Sequence, residues 1–252
     1  MSSMDIYTIG FAVLGAILAS FVGVLVERTH TGESWTNDRS KCNSCSTALG
    51  LLDLIPVASW LSTYGRCGHC GIRLPLMYLV SEMMLAGLFA LSYSVFGLSV
   101  LLGLFLAALC VLLYIVLYDL RHTVVPVAAS TTLVLLSTAF AYAASFDLMD
   151  FGLSLLFAGV IGLAFFLLHA LSSGRLMGLG DSPIALALSL LVGFGSAFSG
   201  LLFSFWIGAL CGIAILVCRR EGPRMGIEVP FVPFLAAGYL LAYFTQWNPF
   251  LL

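Results

Sequence analysis

Long apolar runs separated by short polar stretches dominate the chain. They fall at about 6–26, 76–96, 98–118, 125–145, 151–171, 183–198, 200–218 and 232–247, near or above the roughly 17–25 residues a helix needs to cross a bilayer. The pattern predicts an all-α, polytopic integral membrane protein with about eight transmembrane helices, the sixth and eighth of them short. Composition agrees: 61% of the 252 residues are hydrophobic and 9% are charged, where an ordinary soluble domain carries about 25% charged residues. The formal net charge of −2 adds little, because the charges sit in loops. Membrane lipid is an expected partner and nucleic acid is not.

The first apolar run reads as a retained span. A cleavable signal has a basic front and a short apolar core, whereas Asp5 precedes an uninterrupted run from Ile6 to Val26. When the loops are numbered alternately, Arg28, Arg39, Lys41, Arg66, Arg73, Arg121, Arg175, Arg219, Arg220 and Arg224 share one parity, and these ten are every Lys and Arg in the chain. The opposite side carries Asp5, Asp147 and Asp150. The positive-inside rule then predicts an outside N-terminus and cytoplasmic basic loops, and the single parity favours an even span count.

No internal repeat or low-complexity segment stands out. The one large polar insert runs from Glu27 to Pro75, which divides the chain into a first span (1–26), a cytoplasmic loop domain (27–75) and a seven-span membrane domain (76–252). The insert holds CNSC at Cys42 to Cys45 and CGHC at Cys67 to Cys70, with 21 residues between the pairs, close to the spacing of four-cysteine zinc sites. Cytosolic thiols stay reduced, so Cys42, Cys45, Cys67 and Cys70 are read as ligands closing a tetrahedral shell around a structural Zn²⁺, ahead of redox-active or free thiols. Gly68 and Gly71 are expected to relieve crowding in the second knuckle. His69 could compete as a ligand, but four cysteines suffice. Cys110, Cys211 and Cys218 read as small packing residues.

Ionisable groups in or beside membrane spans are costly and therefore candidates for function. Glu27 follows the first span and is expected to pair with Arg28 at the interface. Glu82 sits about two turns inside the second span, where a buried structural hydrogen bond and a role in substrate binding stand about even. Asp119 closes the third span and Asp181, in GLGD, opens the sixth, so the two carboxylates lie at one membrane depth. Two carboxylates sharing a partly dry site do not both ionise easily, which supplies a general base for water and a general acid for a leaving group. Gly178 and Gly180 fit by permitting unusual backbone dihedrals and close backbone approach; an ordinary helix-start aspartate after a glycine turn is the bland alternative. Asp5, Asp147, Asp150 and the four histidines receive no role.

With these residues in view, the sequence resembles the type IV prepilin peptidase family over nearly its whole length. The resemblance rests on ASFVGVLVERTH, on CNSC followed by LLDLIPVASWLSTYGRCGHCGIRLPLMYLVSE, on YDLRHTVVP, on GLGD and on VPFVPFLAAG, in that order. It implies a bifunctional enzyme of the bacterial inner membrane. Such enzymes cut the basic leader from single-span prepilins and pseudopilins at the cytoplasmic membrane face, with Asp119 and Asp181 as the catalytic pair. They then N-methylate the new N-terminus with S-adenosylmethionine. The chain departs from the family where Ser182-Pro183 follows Asp181, where relatives more often carry an aromatic residue and lysine, and where Val232 replaces a common glycine between two prolines. The loop between Arg28 and Cys42 is short, and no glycine-rich nucleotide motif marks a methyl-donor site.

Three competing readings are weaker. YD and GLGD also resemble presenilin-type intramembrane proteases, but the PAL signature is absent. A proton-coupled transporter would place its carboxylates near the midplane at broken helices. A zinc protease would need H-E-x-x-H, and a four-cysteine shell leaves no position open for water.

Overall fold

A computed structural model of the chain describes residues 3–31, 40–42, 44–50, 52–175, 177–218 and 229–247. The fold is all-α: α1 (Ser3–Thr31), α2 (Ala58–Ser62), α3 (Leu76–Phe96), α4 (Val100–His122), α5 (Val127–Ala144), α6 (Leu148–Ser172), α7 (Asp181–Val192), α8 (Phe194–Cys218) and α9 (Val232–Thr245). Among the described residues six helices, α1, α3, α4, α5, α6 and α8, are long and apolar enough to cross a membrane. The apolar helices α7 and α9 have only 12 and 14 residues. At about 1.5 Å per residue they are roughly 18 and 21 Å long, short of a hydrocarbon core about 30 Å thick.

Several boundaries differ from those read off the apolar runs. Helix α1 continues past Val26 to Thr31, and α4 continues past residue 118 to His122. Hydropathy falls at Glu27 and Asp119, but no glycine or proline stands there to stop the backbone. Conversely, the break between α7 and α8 falls at Gly193, with φ 76°, inside an unbroken apolar stretch where hydropathy gives no sign of it. Arg39, Arg219, Arg220 and Arg224, used above to orient the loops, lie outside the described residues, as do positions 32–39, 43 and 51 of the insert.

The chain forms two compact units, residues 1–114 and 115–252. In the first, α1 packs along α3. Helices in lipid gain little hydrophobic drive from one another and associate through close packing at small residues. Gly15 provides that approach, since a Cβ there would sit 2.6 Å from the Leu85 carbonyl oxygen. Phe11 stacks on Tyr93 with ring centroids 4.9 Å apart. The first turns of α3 also tie down their surroundings, Tyr78 donating to Glu27 Oε1 at 3.1 Å and Glu82 accepting from the Val57 amide at 2.7 Å.

In the second unit α7 lies among α5, α6, α8 and α9. Its Ile184, Ala185, Ala187 and Leu188 are 0% exposed, and Leu190 joins Ala141 and Ala158 in a small core. Enclosure by these neighbours lets a helix too short for the bilayer persist there. By contrast α8 turns Leu210 (69% exposed) and Val217 (75%) outward, as a lipid-facing helix does. Its other side meets α9 closely: a Cβ on Gly200 would lie 2.7 Å from the Tyr239 ring, and one on Gly238 would collide with Ser204. Tyr239 and Ser189 share a buried hydroxyl–hydroxyl bond of 2.9 Å that fixes α9 to α7. Asp147, without a role in the sequence reading, is the N-cap of α6, accepting from the Asp150 amide at 2.8 Å.

Candidate functional site

Four charged side chains are buried among the described residues: Arg28, Glu82, Asp119 and Asp181. The three carboxylates differ in how they are satisfied. Glu82 is engaged structurally, because the amide it accepts from belongs to Val57, which holds φ 62°. That conformation is unfavourable for a β-branched residue, and the carboxylate anchors it. This is the structural hydrogen bond, one of the two roles weighed for Glu82.

Asp119 and Asp181 come together in the second unit. Helix α4 persists through Asp119 and closes when the Thr123 amide donates to the Asp119 carbonyl at 2.8 Å, with Thr123 at φ 52°. The chain then turns toward Pro126 and presses Val125 against the GLGD loop. Gly180 makes this contact feasible, since a Cβ there would lie 2.6 Å from Val125 Cβ. Gly178 donates its amide to Asp181 Oδ2 at 3.1 Å, and a Cβ on it would stand 3.3 Å from that same oxygen. The expectation of unusual dihedrals is corrected: Gly180 is in the right-handed helical region (φ −65°, ψ −23°), and neither glycine has positive φ. Gly180 is required for space and Gly178 has little to spare, and the groups beside both are the chain's own.

Around the pair, Asp181 lies within electrostatic reach of Asp119 and of His169. The amide of Val232, at the start of α9, is within hydrogen-bonding reach of Asp119. Yet Asp119 Oδ2 is buried with no hydrogen-bond partner among the described residues. Ser182 turns away, donating to the Gly162 carbonyl of α6 at 2.8 Å, so the residue after Asp181 serves helix packing. Two neighbours of the pair escaped the sequence reading. Val232 registered only as a departure from pattern and His169 was given no role, because both reach the site through the fold and no local spacing links them to either aspartate.

In the first unit, the Sγ atoms of Cys42, Cys45, Cys67 and Cys70 all lie within 4.8 Å of one another. The Cys42–Cys70 separation is 3.9 Å, matching the edge of about 3.8 Å that a tetrahedron of 2.3 Å Zn–S bonds requires. The two knuckles are copies of one turn. Cys42 donates to the Thr47 carbonyl at 3.0 Å and Ser46 to the Cys42 carbonyl at 2.8 Å; Cys67 donates to Ile72 and Gly71 to Cys67, both at 2.9 Å. Ser46 (φ 56°) and Gly71 (φ 71°) occupy equivalent left-handed positions. Gly71 thus serves conformation, while Gly68 has nothing among the described residues within 4 Å of an added Cβ and relieves no crowding there. Amides of Cys70 and His69 lower the Cys67 thiol to about 6 and Thr47 lowers that of Cys45, favouring the thiolate form that metals bind. At Cys70 the Ile72 amide is outweighed by burial and the other thiols, which raise it to about 11. The donor set therefore fits a closed four-thiolate metal site.

Comparison with known proteins bears on both units. Residues 13–96 match the model of the bacterial peptidase A24 N-terminal domain. Residues 106–213, including Asp119 and Asp181, match that of the type IV leader peptidase family. A prepilin leader peptidase/N-methyltransferase of Bacillus subtilis (strain 168) is 29% identical over 231 residues, covering 92% of this chain and 91% of the relative. One from Burkholderia pseudomallei (strain K96243) is 30% identical over 282 residues, covering 90% and 81%. One from Vibrio cholerae is 22% identical over 259 residues, covering 95% and 97%. No solved structure matches. Because these similarities run through both units and span the two buried aspartates, the chain belongs to the type IV leader peptidase family.

Proposed function

We propose that the chain is a prepilin or pseudopilin leader peptidase of the bacterial inner membrane, with Asp119 and Asp181 as its catalytic pair. The observation that carries this reading is the buried Oδ2 of Asp119, without a hydrogen-bond partner among the described residues, within electrostatic reach of a second carboxylate. A buried acceptor left unpaired costs about 1–3 kcal/mol, and a water or substrate group relieves it. In the proposed reaction one carboxylate takes a proton from water, whose oxygen attacks the scissile carbonyl carbon. The other carboxyl protonates the leaving nitrogen as the C–N bond breaks. Gly178 and Gly180 support the site by admitting the Asp181 carboxylate and Val125 at close range.

The substrate is a single-span prepilin whose apolar helix partitions beside the enzyme in lipid while its basic leader remains cytoplasmic. This places the N-terminus outside, counts α7 and α9 as the sixth and eighth spans, and puts the 27–75 insert in the cytoplasm. There Cys42, Cys45, Cys67 and Cys70 hold one structural Zn²⁺, which when bound crosslinks the two knuckles; cleavage uses only the carboxylates. N-methylation of the new N-terminus by S-adenosylmethionine is proposed from the names of the relatives and the sequence resemblance, and no residue is assigned to it.

The test is co-expression with a prepilin followed by mass spectrometry of the pilin N-terminus, which reads cleavage and methylation together. Asp119→Asn and Asp181→Asn should each abolish cleavage while the protein still assembles in membranes, because an amide keeps the shape but exchanges no proton. Near-normal processing by either variant would refute the aspartic mechanism.

A further inference from the structure

Twelve residues before Asp181 in the chain, His169 occupies the last turns of α6 and is half-buried. Its Nδ1 lies 2.9 Å from the carbonyl oxygen of Met177. A carbonyl only accepts, so Nδ1 carries the proton and donates. The other end of the same peptide unit is the Gly178 amide, which donates to Asp181 Oδ2 at 3.1 Å. A peptide is planar and, when trans, points its C=O and N–H in opposite directions. One peptide plane therefore stands between imidazole and carboxylate as a two-ended strut. Hydrogen bonds linked through one polarisable group strengthen one another, so the donor at Met177 also sharpens the amide aimed at Asp181.

The loop is built around this ring. Helix α6 ends with Ser173 at φ 51° and Gly174 at φ 77°, and the Gly174 amide returns to the His169 carbonyl at 3.0 Å. A Cβ on Gly174 would stand 3.3 Å from His169 Cε1, so the chain wraps against the edge of the imidazole before reaching Met177. The far side of the turn is held independently, by Val125 against Gly180. Asp181 is thereby gripped between a wall and a strut.

We propose that His169 is a positioning residue for Asp181, acting through the Met177–Gly178 peptide to fix where the Oδ2 atom points. This rests on the reading of Asp181 as catalytic, and it makes no claim that the imidazole touches substrate. Three variants of the full-length protein in detergent or nanodiscs separate the strut from mere filling of space. Asparagine presents an amide NH₂ where Nδ1 stands; phenylalanine fills the volume without a donor; alanine does neither. Cleavage of a purified prepilin should fall on the order of 10- to 100-fold in kcat for His169→Phe and His169→Ala, as expected for a catalytic group displaced by about an ångström. KM should stay near the parent value, and His169→Asn should retain most of kcat.

Parent-like kcat in His169→Phe, loss in His169→Asn equal to that in His169→Phe, or a change confined to KM would overturn the proposal. Asp119→Asn and Asp181→Asn run alongside. If they still cleave, the protease reading fails; if they are inactive while the His169 variants are unaffected, only the strut fails. A second measurement needs no variant at 169. Nitrogen NMR of a full-length chain whose other histidines, His30, His69 and His122, are replaced by Gln should show His169 protonated at Nδ1. An imidazole bare at Nδ1 would overturn the proposal without any activity assay.

Discussion

Gly180→Ala tests how the two aspartates are brought together. The glycine has ordinary helical angles, so alanine adopts the backbone without strain and the whole effect must come from the new methyl. That methyl would stand 2.6 Å from Val125 Cβ and 2.8 Å from its Cγ2, where ordinary contact starts at 3.4 Å. Rotation cannot move a Cβ aside, and a β-branched side chain has few alternatives at χ1. The turn after α4 and the GLGD loop must therefore part by roughly 1 Å, an overpacking that costs about 1–3 kcal/mol. The protein should still assemble in membranes, but prepilin cleavage should lose about 10- to 100-fold in kcat, the order expected for misplacing a catalytic group by about 1 Å. KM should change little, because the contact lies within the enzyme. Val125→Ala leaves the offending Cβ in place and should rescue poorly, whereas Val125→Gly removes it and should restore much of the activity in the double variant. Parent-like kcat in Gly180→Ala, or a double variant no better than the single, would refute the argument that Gly180 exists for this contact.

Two further outcomes concern the first unit. Purified protein should contain about one zinc per chain, and Cys→Ser at 42, 45, 67 or 70 should lower that content and loosen the insert while cleavage persists; stoichiometric zinc in the four-serine variant would refute the ligand set. Glu82→Ala strands the Val57 amide at a cost of about 1–3 kcal/mol and should speed limited proteolysis between residues 50 and 65, while Glu82→Gln, which keeps an acceptor oxygen, should change it far less. Equal protection in the alanine variant would show that the bond does not anchor the loop.

Much of the architecture was legible because lipid imposes a simple rule. Apolar runs name the apolar helices: the short run at 232–247 contains α9, whereas the one at 183–198 covers α7 but runs on past Gly193 into α8. The pairing of Asp119 with Asp181 followed from counting spans, since helices alternate in direction and both residues fall at the same kind of end. The four cysteines were legible from spacing, because a knuckle is a local turn. What stayed hidden depends on close approach between distant segments. No pattern in GLGD says that Val125 occupies the space at Gly180, that Ser182 faces α6, or that His169 reaches Met177. Gly178 and Gly180 were singled out for the right positions with half the right reason, because sequence does not distinguish a glycine needed for its dihedrals from one needed for its size.

The meeting of α9 with α8 and α7 also dictates an order of events during synthesis. Asp119 is made early, yet the amide within its reach belongs to Val232, more than a hundred residues later in the chain. A 14-residue apolar helix is a weak signal for insertion by itself. Its place is secured by docking, through Gly238 on Ser204 and Tyr239 on Ser189. While the ribosome is still extending the chain through α8, the two aspartates are present but the amide that meets Asp119 is not. Each nascent molecule must therefore synthesise and seat α9 before the surroundings of Asp119 are complete, so the order of synthesis delays the finished carboxylate environment until the last of the described helices has docked.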